Sequence, residues 1–220
     1  NDEEFKKKLD DLRAIAYETT DEKKLEKIRK ECEKLQKWFE EQSLHPEIKA
    51  EIENSILKEF GDSAKLESSG TTFAVRSSAS NEDSEEMSTA GQMSTLLGVK
   101  GRADHIAKAV MTCWASQFRF IAVEYKRGYG QDLDSPMAVV IQEMVNSQSA
   151  GVVFTAHPTT GDERLLTMTS NFGLGESVVS AAVDPDTFEV EIDVTQIPRK
   201  AVKIATRRIG SKTIVTRLST

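Results

Sequence analysis

Residues 72–83 carry the run TFAVRSSASNED, in which a short stretch of β-prone residues ends in an arginine and a loop of small polar residues. The pattern predicts a strand that presents Arg76 at its end. Arginine can bind phosphate oxygens with two N–H groups at once, and small residues let backbone N–H groups come close to a ligand. The segment is therefore a candidate polyphosphate-binding site, although Arg76 could equally pair with Glu82 or Asp83.

A second candidate element is Gly91-Gln92-Met93-Ser94-Thr95, which leads into the strand Leu96-Leu97-Gly98-Val99. A glycine removes the Cβ atom from the approach path of a ligand. The Thr95 hydroxyl adds a polar group that can reach a ligand oxygen. A tight turn at the start of a strand explains the same residues equally well.

A third candidate is the end of an apolar strand, where Gln142, Glu143, Met144 and Val145 follow the run 139–141. Such a segment can offer backbone groups and the Gln142 amide to the edge of an adenine, with Met144 and Val145 against the face of the base. An ordinary core strand has the same composition, so the pattern leaves both interpretations open.

A glycine-rich turn precedes a predicted short helix at Gly173-Leu174-Gly175-Glu176. Helix N-termini favour anions, and the Glu176 carboxylate in the first turn is favoured by the same dipole. Two glycines are a weak signal, and the sequence has neither the Walker lysine pattern nor the Rossmann glycine spacing.

The first 66 residues are predicted to form a helical segment, and residues 67–220 a separate nucleotide-binding domain. One apolar stripe has helical spacing, and a third helix is expected from Pro46 to Gly61 with Ile48 on its buried face. The stripe consists of Leu25, Ile28, Cys32, Leu35 and Phe39.

The remainder alternates strand-like runs with helices, which predicts an α+β fold with a largely antiparallel sheet, flanking helices and a helical N-terminal segment. A long helix is expected at 103–126 with Ile121 on its buried side, and the strand 150–155 is expected to pair with 137–144. Predicted strands cover 71–76, 92–99, 137–144, 151–155, 164–170, 187–194, 200–208 and 213–218.

Composition narrows the classes of function. Hydrophobic residues make up 38% and charged residues 30%, and the sequence has no apolar run of membrane-spanning length. The net charge of −7 argues against nucleic-acid binding. Residues 197–220 hold seven Lys or Arg and no acid, which fits either a phosphate-facing surface or a solvated edge hairpin. Two widely separated cysteines fit a reducing compartment, so we expect a cytoplasmic location without membrane contact.

In this order, the motifs resemble those of the ATP-grasp domain of the pyruvate, phosphate dikinase and phosphoenolpyruvate synthase family, which rifampicin phosphotransferases share. The resemblance spans about residues 71–195. It is carried by Val75-Arg76-Ser77-Ser78-Ala79 with Glu82-Asp83, Ala90-Gly91-Gln92, Cys113-Trp114-Ala115-Ser116, Gln142-Glu143-Met144-Val145, Ala150-Gly151-Val152-Val153-Phe154-Thr155, Pro158-Thr159-Thr160-Gly161, Gly173-Leu174-Gly175-Glu176-Ser177-Val178-Val179 and Pro185-Asp186.

The resemblance implies an ATP-grasp-like fold and ATP as the ligand. Arg76 matches the arginine that contacts the nucleotide phosphates, and Gly91 and Thr95 match the loop that covers them. Gln142 matches the adenine-side hinge, which Glu143 and Val145 continue. Gln92 and Glu176 are possible secondary contacts.

The resemblance also implies that a complete protein would use ATP to phosphorylate a carrier histidine and pass the phosphate to pyruvate or another small acceptor. The family's lysine, its Mg²⁺ ligands, and its phosphohistidine and acceptor-binding domains have no match in this sequence. We therefore expect no metal ligands within these 220 residues, truncation at both ends, and little or no dikinase activity from this chain alone. The alternative is a non-catalytic, degenerate homologue that acts as a binding module.

Overall fold

A computed structural model describes residues 2–17, 22–61, 66, 69–79, 83–84, 87–88, 94–195, 198 and 200–218. The chain forms two compact units, Asn1–Met144 and Val145–Thr220. The domain boundary predicted after residue 66 stays a prediction, and residues 1–66 lie within the first of these compact units.

The first unit contains a helical layer. Its helices are α1 (Asp2–Ala16), α2 (Glu22–Glu40), α3 (Pro46–Phe60), α4 (Ala103–Ala115) and α5 (Phe120–Gly128). The predicted apolar stripe of α2 is confirmed, because Ile28, Cys32 and Leu35 are fully buried with Phe118 and Val123 in one cluster. The third helix begins at Pro46 as predicted, but Ile48 is 44% exposed, so its assignment to the buried face was wrong.

The long helix predicted at 103–126 is interrupted. A 3₁₀ turn at Ser116–Phe118 follows α4, and Arg119 adopts an extended conformation before α5 begins. Because this break changes the phase of the helical pattern, Ile121 is 62% exposed and its predicted burial was wrong. The break also leaves Cys113 and Ser116 at the end of α4, where they face the sheet.

The sheet of the first unit has three antiparallel strands in the order β4-β1-β5. They are β1 (Thr72–Ala79), β4 (Thr95–Lys100) and β5 (Met137–Glu143), and a separate two-residue ladder joins β2 (Asp83–Ser84) to β3 (Met87–Ser88). One face of the three-stranded sheet packs on helices α3 and α4 through Phe73, Val75, Ile106 and Val110. The opposite face carries the polar side chains of interest.

The second unit holds a four-stranded antiparallel sheet in the order β6-β7-β8-β9, with one short helix, α6 (Glu176–Val179). The strands are β6 (Ser149–Phe154), β7 (Leu165–Phe172), β8 (Asp186–Asp193) and β9 (Lys200–Arg208). The α+β class and the antiparallel pairing are confirmed, with the strands divided between separate sheets.

Two predictions about strands were wrong, one about a pairing partner and one about the existence of a strand. The strand at 150–155 pairs with β7 in the second unit, whereas β5 pairs with β1 in the first. Residues 213–218 form no strand and contribute only an isolated parallel bridge from Thr216 to Gly173. Local sequence marks where strands lie but carries little information about which neighbour each one takes.

Among the described residues, no helix combines the length and the apolar character needed to cross a membrane.

Candidate functional site

Strand β1 separates apolar from polar residues by simple alternation. Phe73 and Val75 point into the core, so Arg76 points to the other side of the sheet, where it is exposed. Arg76 lies opposite Thr95 on β4 and opposite Val140 on β5. Since paired residues of antiparallel strands share a face, Arg76 and Thr95 lie side by side.

Gln142 lies on the same face and contacts the arginine directly. It pairs with Ala74, two residues before Arg76, so its side chain projects in the same direction. The Arg76 Nη1 group donates to Gln142 Oε1 at 3.3 Å. We call this exposed surface, defined by Arg76, Thr95 and Gln142, the Arg76 face. It brings together three residues that the sequence singled out from separate motifs.

Strand β4 presents Thr95 on this face because of a β-bulge at Leu97 and Gly98. These two residues lie opposite a single residue of β1, where the pairing register shifts. Counted back from Val99, which packs against the core, regular alternation would turn Thr95 toward the helices. The extra residue of the bulge turns the Thr95 side chain to the opposite side of the sheet, away from the helices. Gly98 has a φ of +71°, a conformation that glycine adopts with little strain.

Met144 stabilises this bulge. The Gly98 N–H donates to Met144 Sδ at 3.1 Å, and the Met144 N–H donates to the Thr72 carbonyl at 2.8 Å. Met144 was predicted to lie against the face of an adenine, and its contact with Gly98 was not predicted. A glycine inside a strand pattern is the one signal that could have indicated the bulge.

The other predicted site residues lie elsewhere. Glu143 pairs with Phe73, so its side chain points to the side of the sheet opposite Gln142. Val145 and Glu176 belong to the second unit, where both side chains are exposed. Gly91 and Gln92 lie outside the described residues, as does the Glu82 side chain proposed as an alternative partner of Arg76.

Asn171 is buried and hydrogen-bonded within the second unit. It is 3% exposed, and its Nδ2 group donates to Ser177 Oγ and to the Ile214 carbonyl, both at 2.8 Å. Gly173, two residues further along the chain, lies so close to Thr216 that a Cβ atom would be 2.2 Å from the Thr216 carbonyl oxygen. The glycine-rich turn is therefore explained by close backbone packing.

The chemistry of the Arg76 face suits an anion. A guanidinium has five N–H donors, so its contact with Gln142 does not exhaust it, and the Thr95 hydroxyl lies on the neighbouring strand. Mg²⁺ in proteins is typically held by one or two carboxylates, and the described side chains of this face include no Asp or Glu. The described residues of the face thus fit the phosphate groups of a nucleotide but not Mg²⁺.

Comparison with known families identifies the class of domain to which this fold belongs. The family model described as pyruvate phosphate dikinase, AMP/ATP-binding domain, matches residues 4–219. The chain belongs to this family, which confirms the resemblance found in the sequence motifs and supports an ATP-grasp-like fold.

Individual relatives of this chain carry different enzyme names. A probable phosphoenolpyruvate synthase of Staphylothermus marinus is 41% identical over 165 residues, covering 74% of this chain and 20% of that protein. A rifampicin phosphotransferase of Streptomyces sviceus is 46% identical over 121 residues, covering 54% and 14%. An uncharacterized phosphotransferase of Bacillus subtilis is 38% identical over 155 residues, covering 70% and 18%. The aligned part of the chain spans a fifth or less of the length of each relative.

Proposed function

We propose that this chain binds ATP on the Arg76 face and is the nucleotide-binding part of a dikinase-type phosphotransferase. The observation that carries the proposal is the convergence of Arg76, Thr95 and Gln142 on one exposed face of the sheet. Membership of an AMP/ATP-binding domain family supports the choice of ligand.

Each residue has a distinct role in this proposal. Arg76 binds the terminal phosphate oxygens, because its fork of N–H donors matches them and its charge offsets theirs. Thr95 donates its hydroxyl to the same phosphates. Gln142 orients the guanidinium through its Oε1 atom and links it to the adenine-side strand.

The remaining contacts proposed for ATP come from five further residues. Gly91 and Gln92 would cover the phosphates. Glu143 would contribute its backbone groups to the adenine edge, because its side chain points to the other side of the sheet. Val145 would continue the hinge, and a secondary contact from Glu176 stays a prediction from the sequence.

The wider activity would belong to the complete protein. Relatives that are several times longer carry the names phosphoenolpyruvate synthase and rifampicin phosphotransferase. We therefore propose that the phosphate of ATP passes to a carrier histidine and then to pyruvate or another small acceptor. Domains that this chain does not supply, in cis or in trans, would provide the histidine, the acceptor site and the Mg²⁺ ligands.

Replacing Arg76 with alanine tests the ATP site. Loss of a charge-assisted hydrogen bond costs about 1.5–3 kcal/mol, so we expect Mg-ATP affinity to fall at least about tenfold in titration calorimetry. Arg119→Ala is the matched control, because Arg119 is an exposed arginine of the same unit that lies between two helical segments and not on the Arg76 face. It should leave the affinity unchanged.

Two outcomes would contradict the proposal. If wild-type protein released no heat at millimolar Mg-ATP, the non-catalytic binding module would be the better interpretation. If Arg76→Ala and Arg119→Ala weakened binding equally, the nucleotide would bind through general charge attraction and not on the Arg76 face.

A further inference from the structure

Two side chains at the end of α4 hold both backbone polar groups of Ser94, the residue directly before Thr95. The Ser94 N–H donates to Ser116 Oγ at 3.0 Å. The Ser94 carbonyl lies 3.3 Å from Cys113 Sγ, which can donate its S–H to it. Cys113 is fully buried and Ser116 is 3% exposed. The entry of the chain into β4 is thus fixed by helix α4 as well as by the ladder to β1.

The direction of the Ser116 hydrogen bonds follows from its single proton. Ser116 Oγ donates that proton to the Cys113 carbonyl at 2.6 Å, a backbone group near the end of α4. Its oxygen lone pairs are then available to the Ser94 N–H. One hydroxyl therefore satisfies a carbonyl at the helix end and orients the first residue of the strand entry.

Cys113 contacts the second strand of the site as well. Its Sγ atom is 3.3 Å from the Val75 carbonyl and 3.3 Å from the Ser94 carbonyl. Burial raises the pKa of the Cys113 thiol to about 11, so the S–H proton is retained at neutral pH and can be donated to either oxygen. Val75 directly precedes Arg76, and Ser94 directly precedes Thr95.

We propose that Cys113 and Ser116 are positioning residues of the nucleotide site, because they hold Val75 and Ser94 so that Arg76 and Thr95 stay side by side. This inference rests on the proposed ATP-binding function of the Arg76 face. The two side chains cannot touch a ligand on that face, because they lie on the helix-covered side of the sheet. They act only through the backbone of the residues that precede the ligand contacts.

If Cys113 and Ser116 contributed to stability alone, their substitution would give different measured results. Burying the Ser116 hydroxyl brings no advantage over burying alanine unless its hydrogen bonds matter. If these bonds only stabilised the core, substitution would lower the melting temperature and reduce all nucleotide affinities in parallel. If they position the phosphate contacts, the affinity for ATP falls while the affinity for AMP, which lacks the terminal phosphates, is retained.

The test uses Ser116→Ala and Cys113→Ala, with Cys113→Ser as the conservative variant that keeps a donor. Cys32→Ala is the matched control, because Cys32 is also fully buried in the first unit but belongs to the helical cluster away from the sheet. Calorimetric titrations with Mg-ATP and with AMP give two affinities for each variant. We expect the ratio of ATP to AMP affinity to fall about fivefold in both alanine variants, to recover in part in Cys113→Ser, and to stay constant in Cys32→Ala.

Amide hydrogen exchange separates this inference from the proposed function, since it needs no ligand. The Ser94 amide should exchange at least about tenfold faster in Ser116→Ala than in Cys32→Ala. Unchanged Ser94 exchange would overturn the positioning role, as would equal losses of ATP and AMP affinity or no loss of either. Faster exchange in a protein that binds no ATP even as wild type would overturn the proposed function and, with it, the assignment of these residues to a nucleotide site.

Discussion

Replacing Gly173 with alanine is expected to lower the free energy of unfolding of the second unit by about 3 kcal/mol. Two costs combine. Gly173 has a φ of +77°, where an L-residue is strained by about 1–2 kcal/mol. A Cβ atom would also lie 2.2 Å from the Thr216 carbonyl oxygen and 3.0 Å from a Val215 methyl carbon, and such overpacking costs about 1–3 kcal/mol.

Gly161→Ala separates the two costs. Gly161 lies in the same unit with a φ of +70°, but a Cβ atom there would meet nothing within 4 Å. Its substitution should cost only the conformational strain, about 1 kcal/mol. Urea unfolding and hydrogen exchange of residues 145–218 would measure the difference. Equal losses in the two variants would show that the contact with Thr216 contributes nothing.

This close packing changes how the glycine-rich turn is understood. Sequence alone allowed an anion site at the start of a helix, because glycines admit backbone groups to a ligand. In the structure the space left by the missing Cβ is filled by the Thr216 carbonyl, which also accepts from the Leu174 N–H at 2.8 Å. The need for glycine at this position therefore comes from a chain segment more than forty residues away.

The difference between local sequence signals and contacts with distant segments explains what the sequence could and could not predict. The position of each strand follows from local runs of β-prone residues, and β9 matches its predicted range of 200–208. The partners of the strand 150–155 depend on contacts between distant segments, so that prediction failed. Ile121 was assigned to the core because nothing local marks the extended conformation of Arg119.

For the candidate site, the sequence identified Arg76, Thr95 and Gln142 through separate motifs. It could not show that their side chains share a face. Counting alternate residues along β4 from Val99, which is partly buried against the core, puts Thr95 on the wrong side, and only the bulge at Gly98 corrects the count. The geometry of the proposed site thus depends on a residue that would not itself contact the nucleotide.

Replacing Gly98 with valine is therefore expected to weaken Mg-ATP binding about thirtyfold and to lower the free energy of unfolding by about 3 kcal/mol. A β-branched residue at a φ of +71° is severely strained. The strand can keep the bulge and the strain, or lose the bulge and turn Thr95 toward the helices. Losing the bulge would separate Thr95 from Arg76, and keeping it would distort the backbone at residue 98, whose N–H donates to Met144 Sδ.

Gly130→Val provides the control. Gly130 lies in the same unit with a φ of +64°, and a Cβ atom there would meet nothing within 4 Å. The substitution should therefore cost conformational strain while leaving Mg-ATP affinity unchanged. If Gly98→Val bound ATP like the wild type, or if Gly130→Val weakened binding as much, the bulge would have no special connection with the site.

A double-mutant cycle tests the mechanism, because it asks whether Gly98 acts through Thr95. Thr95→Ala removes one hydroxyl and should weaken ATP binding about fivefold in the wild-type background. In the Gly98→Val background the hydroxyl is already misplaced, so the same substitution should have almost no effect. Independent effects of the two substitutions would mean that Gly98 influences ATP affinity by another route, such as the position of Met144. Strong coupling would show that Gly98, through its left-handed backbone conformation, determines the side of the sheet on which β4 presents Thr95.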